Sequence, residues 1–278
     1  MPVKDLLVHI DHGRASPARL DAAIALAAAH DAHLVGLYVL SRPHIPGFIR
    51  TQIPPVLLKH QEEALGTSAR QAEEHFNDAV RRAGVKGEWR CVDGDPEPVL
   101  SLHARYCDLC VVGQRDPEGE DATMDPAMPD RLILTVGRPV LVVPKVGDYP
   151  VIGKRVLVAW DASRLATRAV NDALPILTAA DHVSVLAVNP RGGEDGHGDI
   201  PSADICLHLA RHGIKAEAEH VYADDVDVGA MLLSTLAAEG ADLLVMGAYG
   251  HTRWRELVLG GATRHILEHM TVPVLMSH

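Results

Sequence analysis

The chain has 278 residues, 47% of them apolar and 23% charged, and a formal net charge of −11. This is ordinary globular composition; its acidic balance argues against a nucleic-acid partner, which needs a basic face, but leaves room for a single nucleotide held by helix N–H groups. No apolar run reaches the ~20 residues of a membrane helix, and the opening MPVKDLLVHI lacks the regions of a secretory signal, so no membrane partner and a cytoplasmic location are expected.

In chain order, the apolar run from Asp5 reads as a strand that ends at Asp11. A Pro-rich loop, Arg42 to Pro55, precedes a long helix reaching Arg82 and is expected to be a connector, with covering the first cleft as its alternative. YCDLCVVG approaches a buried strand and carries Cys107 and Cys110. A zinc site would need a second pair of ligands at suitable spacing, so buried structural thiols are expected. Val140 to Val143 is a short final strand, and PKVGDYPVIGK from Lys145 to Gly153 reads as a linker. Beyond it come a strand at Val156 to Trp160, a helix within Asp161 to Ala180 and a strand at Val183 to Val188. A helix at Ser202 to His212, a strand at Glu217 to Val221, a helix at Val228 to Glu239 and a strand at Leu243 to Met246 follow. The unit closes with a glycine-bearing stretch, its helix, and a strand at Val274 to Met276.

The chain is one unit written twice. DLLVHIDHGRAS matches RVLVAWDASRLA at an offset of 150, which aligns Asp11 with Asp161. CDLCVVG matches ADLLVMG, and Pro139 matches Pro273, both at an offset of 134. Domains of residues 1–146 and 153–278 are therefore predicted. Continuous apolar strands between helices indicate parallel sheets covered on both faces. The fold class is α/β: two doubly wound, Rossmann-like domains in tandem. The two final strands would otherwise be open edges, so they are predicted to pair antiparallel, packing the halves as a pseudo-dimer. A homodimer of the whole chain has no specific residue behind it.

In doubly wound sheets ligands bind beyond the carboxyl ends of the strands, where strand order reverses. Asp161 and Gly247 end the two strands flanking that point in the second half. The glycines there run Gly247-x2-Gly250-x9-Gly260, followed by Gly261, Ala262 and Thr263 at a helix entry. This is neither a P-loop nor G-x-G-x-x-G. Turns and close packing alone could account for the glycines, and Asp161 could simply cap the following loop. Charge favours an anion: Gly247 to His265 holds three Arg and one Glu, a local +2. In the first half, Asp116, Pro126, Ala127 and Pro129 stand at the places of Gly250, Gly260, Gly261 and Thr263. Gly113 to Arg131 carries two Arg against six acidic residues, a local −4, so the first site reads as degenerate.

These residues resemble the universal stress protein family in its tandem form, over essentially the whole chain. Nucleotide-binding members carry G-x2-G-x9-G-[S/T] and an Asp ending the first strand. The resemblance implies that Asp161 and the backbone near Val188 face adenine and ribose. It implies that the backbone of Gly247, Gly250, Gly260, Gly261, Ala262 and Thr263 holds phosphates. One departure is Gly261 at the Ser/Thr position; Thr263 is the candidate substitute hydroxyl. The implied function is a stress-response protein binding an adenine nucleotide, ATP first, with Mg2+ as candidate companion. It is regulatory, with no catalytic residue nominated and at most slow ATP hydrolysis. The alternatives are an interaction scaffold with both clefts idle, or an enzyme of the wider adenine-nucleotide α-hydrolase-like group, for which no segment is left to build a substrate domain. HILEH, His265 to His269, spells a zincin-like motif without a nominated third ligand, so no metal site is assigned.

Overall fold

The computed structural model describes residues 2–42, 54–114, 127–190, 202–222, 226–250 and 261–278. The first half runs β1 (Asp5–Ile10), α1 (Ser16–His30), β2 (His33–Leu40), α2 (Pro55–Ala83), β3 (Lys86–Asp93), α3 (Pro96–Ala104), β4 (Leu109–Gly113), α4 (Met128–Thr135) and β5 (Val140–Val143). The second runs β6 (Arg155–Ala159), α5 (Arg164–Leu177), β7 (His182–Val188), α6 (Ala203–Arg211), β8 (Ala216–Val221), α7 (Val228–Glu239), β9 (Leu243–Gly247), α8 (Gly261–His269) and β10 (Val274–Ser277).

All ten strands form one sheet, in the order β3-β2-β1-β4-β5-β10-β9-β6-β7-β8. Every pairing is parallel except one: β5 and β10 meet antiparallel, with Leu141 opposite Leu275. The predicted pairing of the final strands is thus borne out, and the doubly wound unit is present twice about a pseudo-twofold axis.

Side chains of period two divide the core between the faces. Leu6, Val8, Leu141, Val158, Val245 and Leu275 pack on one side. Leu7, Val140, Val142, Leu157, Leu244 and Met276 pack on the other. Both clusters run through both halves, so helices must cover both faces along the whole sheet. The outer strands are different. β3 (KGEWRCVD) and β8 (AEAEHV) are largely exposed and charged, which discourages edge-to-edge association.

Helix boundaries follow local chemistry. Ser163 caps α5 by accepting the Ala166 N–H at 3.1 Å, and Asp227 caps α7 by accepting that of Ala230 at 3.1 Å. Gly240 closes α7 at φ +60, where a side chain would strain the backbone. The long helix at Pro55–Ala83 was legible, whereas residues 43–53 of the Pro-rich connector lie outside the described residues. No helix among the described residues is long and apolar enough to cross a membrane.

Candidate functional site

Strand order reverses at β1 in the first half and at β6 in the second. At the second reversal, Asp161 turns the chain off the sheet. Its Oδ1 accepts the Ser163 N–H at 3.0 Å, with Ala162 at φ +56. Across the gap β9 ends at Gly247, and Tyr249 bends the chain at φ +62. Its N–H is donated to Thr263 Oγ1 at 3.2 Å, which ties the loop to the first turn of α8.

Between these pieces lies a cleft with about 650 Å³ of empty space, open mouth included. Asp161, Val188, Gly247, Gly250, Gly261, Ala262 and Thr263 all line it, against an apolar wall that includes Trp160, Leu186, Leu232 and Met246. Gly260, the remaining nominated residue, lies outside the described residues.

The glycines separate by what surrounds them. A Cβ on Gly247 would stand 2.6 Å from the backbone of Leu165 and Ala166, so this glycine lets α5 close onto β9. Close packing is its evident use. Gly250 differs: a Cβ there would meet only Leu165 Cδ1 at 3.7 Å, Asp161 Oδ2 at 3.9 Å and Ser163 Oγ at 4.0 Å, ordinary contacts. Among the described residues, nothing stands within 4 Å of the Cβ position of Gly261. Packing among the described residues therefore does not call for glycine at 250 or 261, and both border the cleft. Thr263 is 4% exposed, and its hydroxyl serves the Tyr249 amide, so it organises the loop as well as lining the cleft. Asp161 likewise both caps its loop and lines the cleft.

The corresponding strand end in the first half carries a buried ion pair. Asp11 again turns the chain, accepting the Gly13 N–H at 2.9 Å. Here Arg19 reaches back from α1 and pairs with Asp11 Oδ2 at 2.7 Å, its side chain 5% exposed. Its Nη2 also donates to Ser16 Oγ at 3.1 Å, and a Cβ on Gly113 would run into the guanidinium. Burial would raise the Asp11 carboxyl, but Arg19, His9 and the Gly13 amide outweigh it and hold it at about 2. A protein cation thus lies beside Gly113, at the position equivalent to Gly247. The sequence reading missed this. Its signal was present, because the 150-residue offset aligns Arg19 with Ala169. Asp116 and Pro126 lie outside the described residues; Pro129 stands in the first turn of α4, where it supplies no N–H.

Cys107 and Cys110 are buried free thiols. Burial raises Cys107 to about 12 and Cys110 well above its usual value, so neither is a ready nucleophile. His265 and His269 stack at 4.5 Å on α8, and among the described residues no group of three or more His, Cys, Asp or Glu could hold a metal ion.

Comparison with known proteins places this architecture. The model of the universal stress protein family matches residues 2–144 and again residues 153–278. The chain belongs to the universal stress protein family, as a tandem of two such units. It is 28% identical over 174 residues to the universal stress protein Slr1230 of Synechocystis sp., covering 60% of this chain and 57% of that protein. Among solved structures it resembles a universal stress protein from Archaeoglobus fulgidus, with 16% identity, 98% and 97% coverage of the two chains and a TM-score of 0.73. A functionally unknown protein from Pseudomonas aeruginosa PAO1 aligns with 15% identity, 99% and 92% coverage and a TM-score of 0.58. At those identities the likeness to the two solved structures is one of fold.

Proposed function

We propose that the C-terminal cleft binds one adenine nucleotide per chain, ATP first among them, and that the protein uses this binding in regulation rather than catalysis. The observation that carries the reading is the pair of glycines the fold does not need. Gly250 and Gly261 keep the cleft open beside Asp161 and the N-terminus of α8, where orphan N–H groups and the helix dipole favour an anion. The apolar wall suits a base, and adenine follows from the family resemblance of the G-x2-G-x9-G pattern. Mg2+ would arrive with the phosphates; Asp161 is the only carboxylate among the described residues lining the cleft.

The test is calorimetry with ATP, backed by mass spectrometry of nucleotide carried through mild purification. One equivalent per chain is expected. Two equivalents at saturation, or a nucleotide bound only beside Asp11 and Gly113, would refute the reading. The scaffold alternative rests on Gly261 in place of a hydroxyl residue, and an absent isotherm with every adenine nucleotide would favour it.

A further inference from the structure

We infer that Asp130, in the first half, positions the Tyr249 turn that borders the cleft of the other half. The inference rests on the nucleotide reading of the C-terminal cleft. Asp130 lies in the first turn of α4 and is 4% exposed. Its Oδ1 accepts the phenol O–H of Tyr249 at 2.9 Å. Its Oδ2 is buried with no hydrogen-bond partner among the described residues. A carboxylate so poorly satisfied is costly to keep, which makes its partner important to where it rests.

Tyr249 lies between the two glycines that border the cleft, Gly247 and Gly250. Its backbone is held at φ +62, a conformation a bulky residue adopts only when its surroundings impose it. Two contacts act on it: Thr263 Oγ1 accepts its N–H, and Asp130 receives its hydroxyl. Tyr249 is thus suspended between α8 of its own half and α4 of the other. A second contact from the first half reaches the far end of α8. Gln114 Nε2 donates to Leu267 O at 2.9 Å and to Glu268 O at 3.2 Å. The helix whose N-terminus faces the cleft is therefore held at its last turn by Gln114, and near its first turn through Tyr249 by Asp130.

The two side chains that make these contacts have different counterparts in the other repeat. The 134-residue offset aligns Asp130 with Arg264 and Gln114 with Ala248. Arg264 pairs with Glu268 on its own helix, and Ala248 has no amide to reach with. In both contacts a first-half side chain reaches the second half. Binding sites work best when the contacting groups are fixed by a supporting layer, and here part of that layer comes from the other repeat. Coupling of this kind is reciprocal: a ligand that settles the Tyr249 loop also steadies α4.

A double-mutant cycle on the full chain tests this. ATP affinity is measured by calorimetry for wild type, Tyr249→Phe, Asp130→Ala and the double variant, with folding checked by circular dichroism. Each single substitution is expected to weaken ATP roughly tenfold, the scale of one hydrogen bond to a charged group, with the double variant no weaker than either. Asp130→Asn keeps an acceptor and should recover most of the loss. Hydrogen exchange adds a readout that a purely structural role would not move: ATP should slow exchange in α4 of wild type and not of Tyr249→Phe. Wild-type affinity in Tyr249→Phe, or losses that add in the double variant, would overturn the coupling and leave the site reading intact. A wild-type chain that binds no ATP would overturn both, and that isotherm is read before any variant.

Discussion

The two switch-point strand ends begin from the same plan and then diverge. Each has an Asp at the end of a switch-point strand whose carboxylate accepts an N–H two residues on, from Gly13 in one and Ser163 in the other. In the first half the next turn of helix supplies Arg19, which folds over Gly113 and neutralises Asp11. In the second half the matching residue is Ala169, and the space stays open beside Gly250. The difference teaches that two repeats can keep one fold while one long side chain changes the chemistry of the strand end. Here a single long cation occupies the strand end, and the fold is otherwise kept.

The sharpest way to break the comparison is to put charge into the open cleft. Gly250→Asp adds a side chain whose Cβ has ordinary contacts available, so the fold should survive. Its carboxylate would stand beside Asp161 and repel phosphates. Like charges brought within about 4 Å exchange about 4 kcal/mol at surface-like dielectric, so binding should fall on the order of a thousandfold. Unchanged ATP affinity in a folded Gly250→Asp protein would remove the proposed site.

The second way is to remove the cation from the first strand end. Arg19→Ala leaves Asp11 buried without its cation, and breaking a buried pair from one side costs about 3 kcal/mol or more. Urea unfolding should register this as a lower midpoint with an unchanged slope. Calorimetry on the same variant should still give one nucleotide per chain, because the segment 113–131 remains acidic in sequence and supplies no N–H at Pro129. A second equivalent would mean that Arg19 alone closes the first cleft.

The architecture was largely legible because its signals are local. Apolar runs between helical patterns gave the strands, and the repeat fixed the two halves. The logic of open edges gave the β5–β10 pairing before any coordinates. What escaped was set by contact rather than pattern. No local rule distinguishes a glycine that admits a helix from one that admits a ligand, so Gly247 and Gly250 read alike until their neighbours were placed. The Tyr249–Asp130 bond joins residues 119 apart, beyond the reach of any periodicity. Arg19 was nearer to view: comparing the repeats position by position shows an arginine where its twin has alanine.

A third test uses pH. Asp11 is held at about 2 against an ordinary value of 3.8. Because the folded value is the lower one, the pair stabilises the protein above about pH 4, and that contribution is lost as pH falls toward about 2. The shift corresponds to about 2 kcal/mol. Asp11→Asn should therefore be less stable than wild type near neutrality, and the gap should narrow through that window. The other carboxylates titrate in both proteins and largely cancel. A gap that stays constant from about pH 5 to about pH 2 would mean that the Arg19 pair contributes nothing net.

The smallest effect separates the two strand-end glycines. Gly113 and Gly247 occupy equivalent places, and a methyl group at either has no free room. What blocks it differs. At Gly113 the obstacle is the tip of Arg19, the far end of a flexible side chain that must swing aside to admit a methyl group. At Gly247 it is backbone, the carbonyl carbon of Leu165 and the amide nitrogen of Ala166, both 2.6 Å from the Cβ position. That backbone belongs to the first turn of α5, which Ser163 already pins through its cap. Moving it means shifting the helix against β9. Overpacking costs about 1–3 kcal/mol, with the upper end expected where backbone must move. Gly247→Ala should thus lose about 1 kcal/mol more than Gly113→Ala in urea unfolding. The variants should also differ in kind: Gly113→Ala should leave nucleotide binding untouched, while Gly247→Ala displaces the wall of the occupied cleft and weakens it. Equal losses, or the larger loss at Gly113, would show that Arg19 is held as rigidly as a helix backbone.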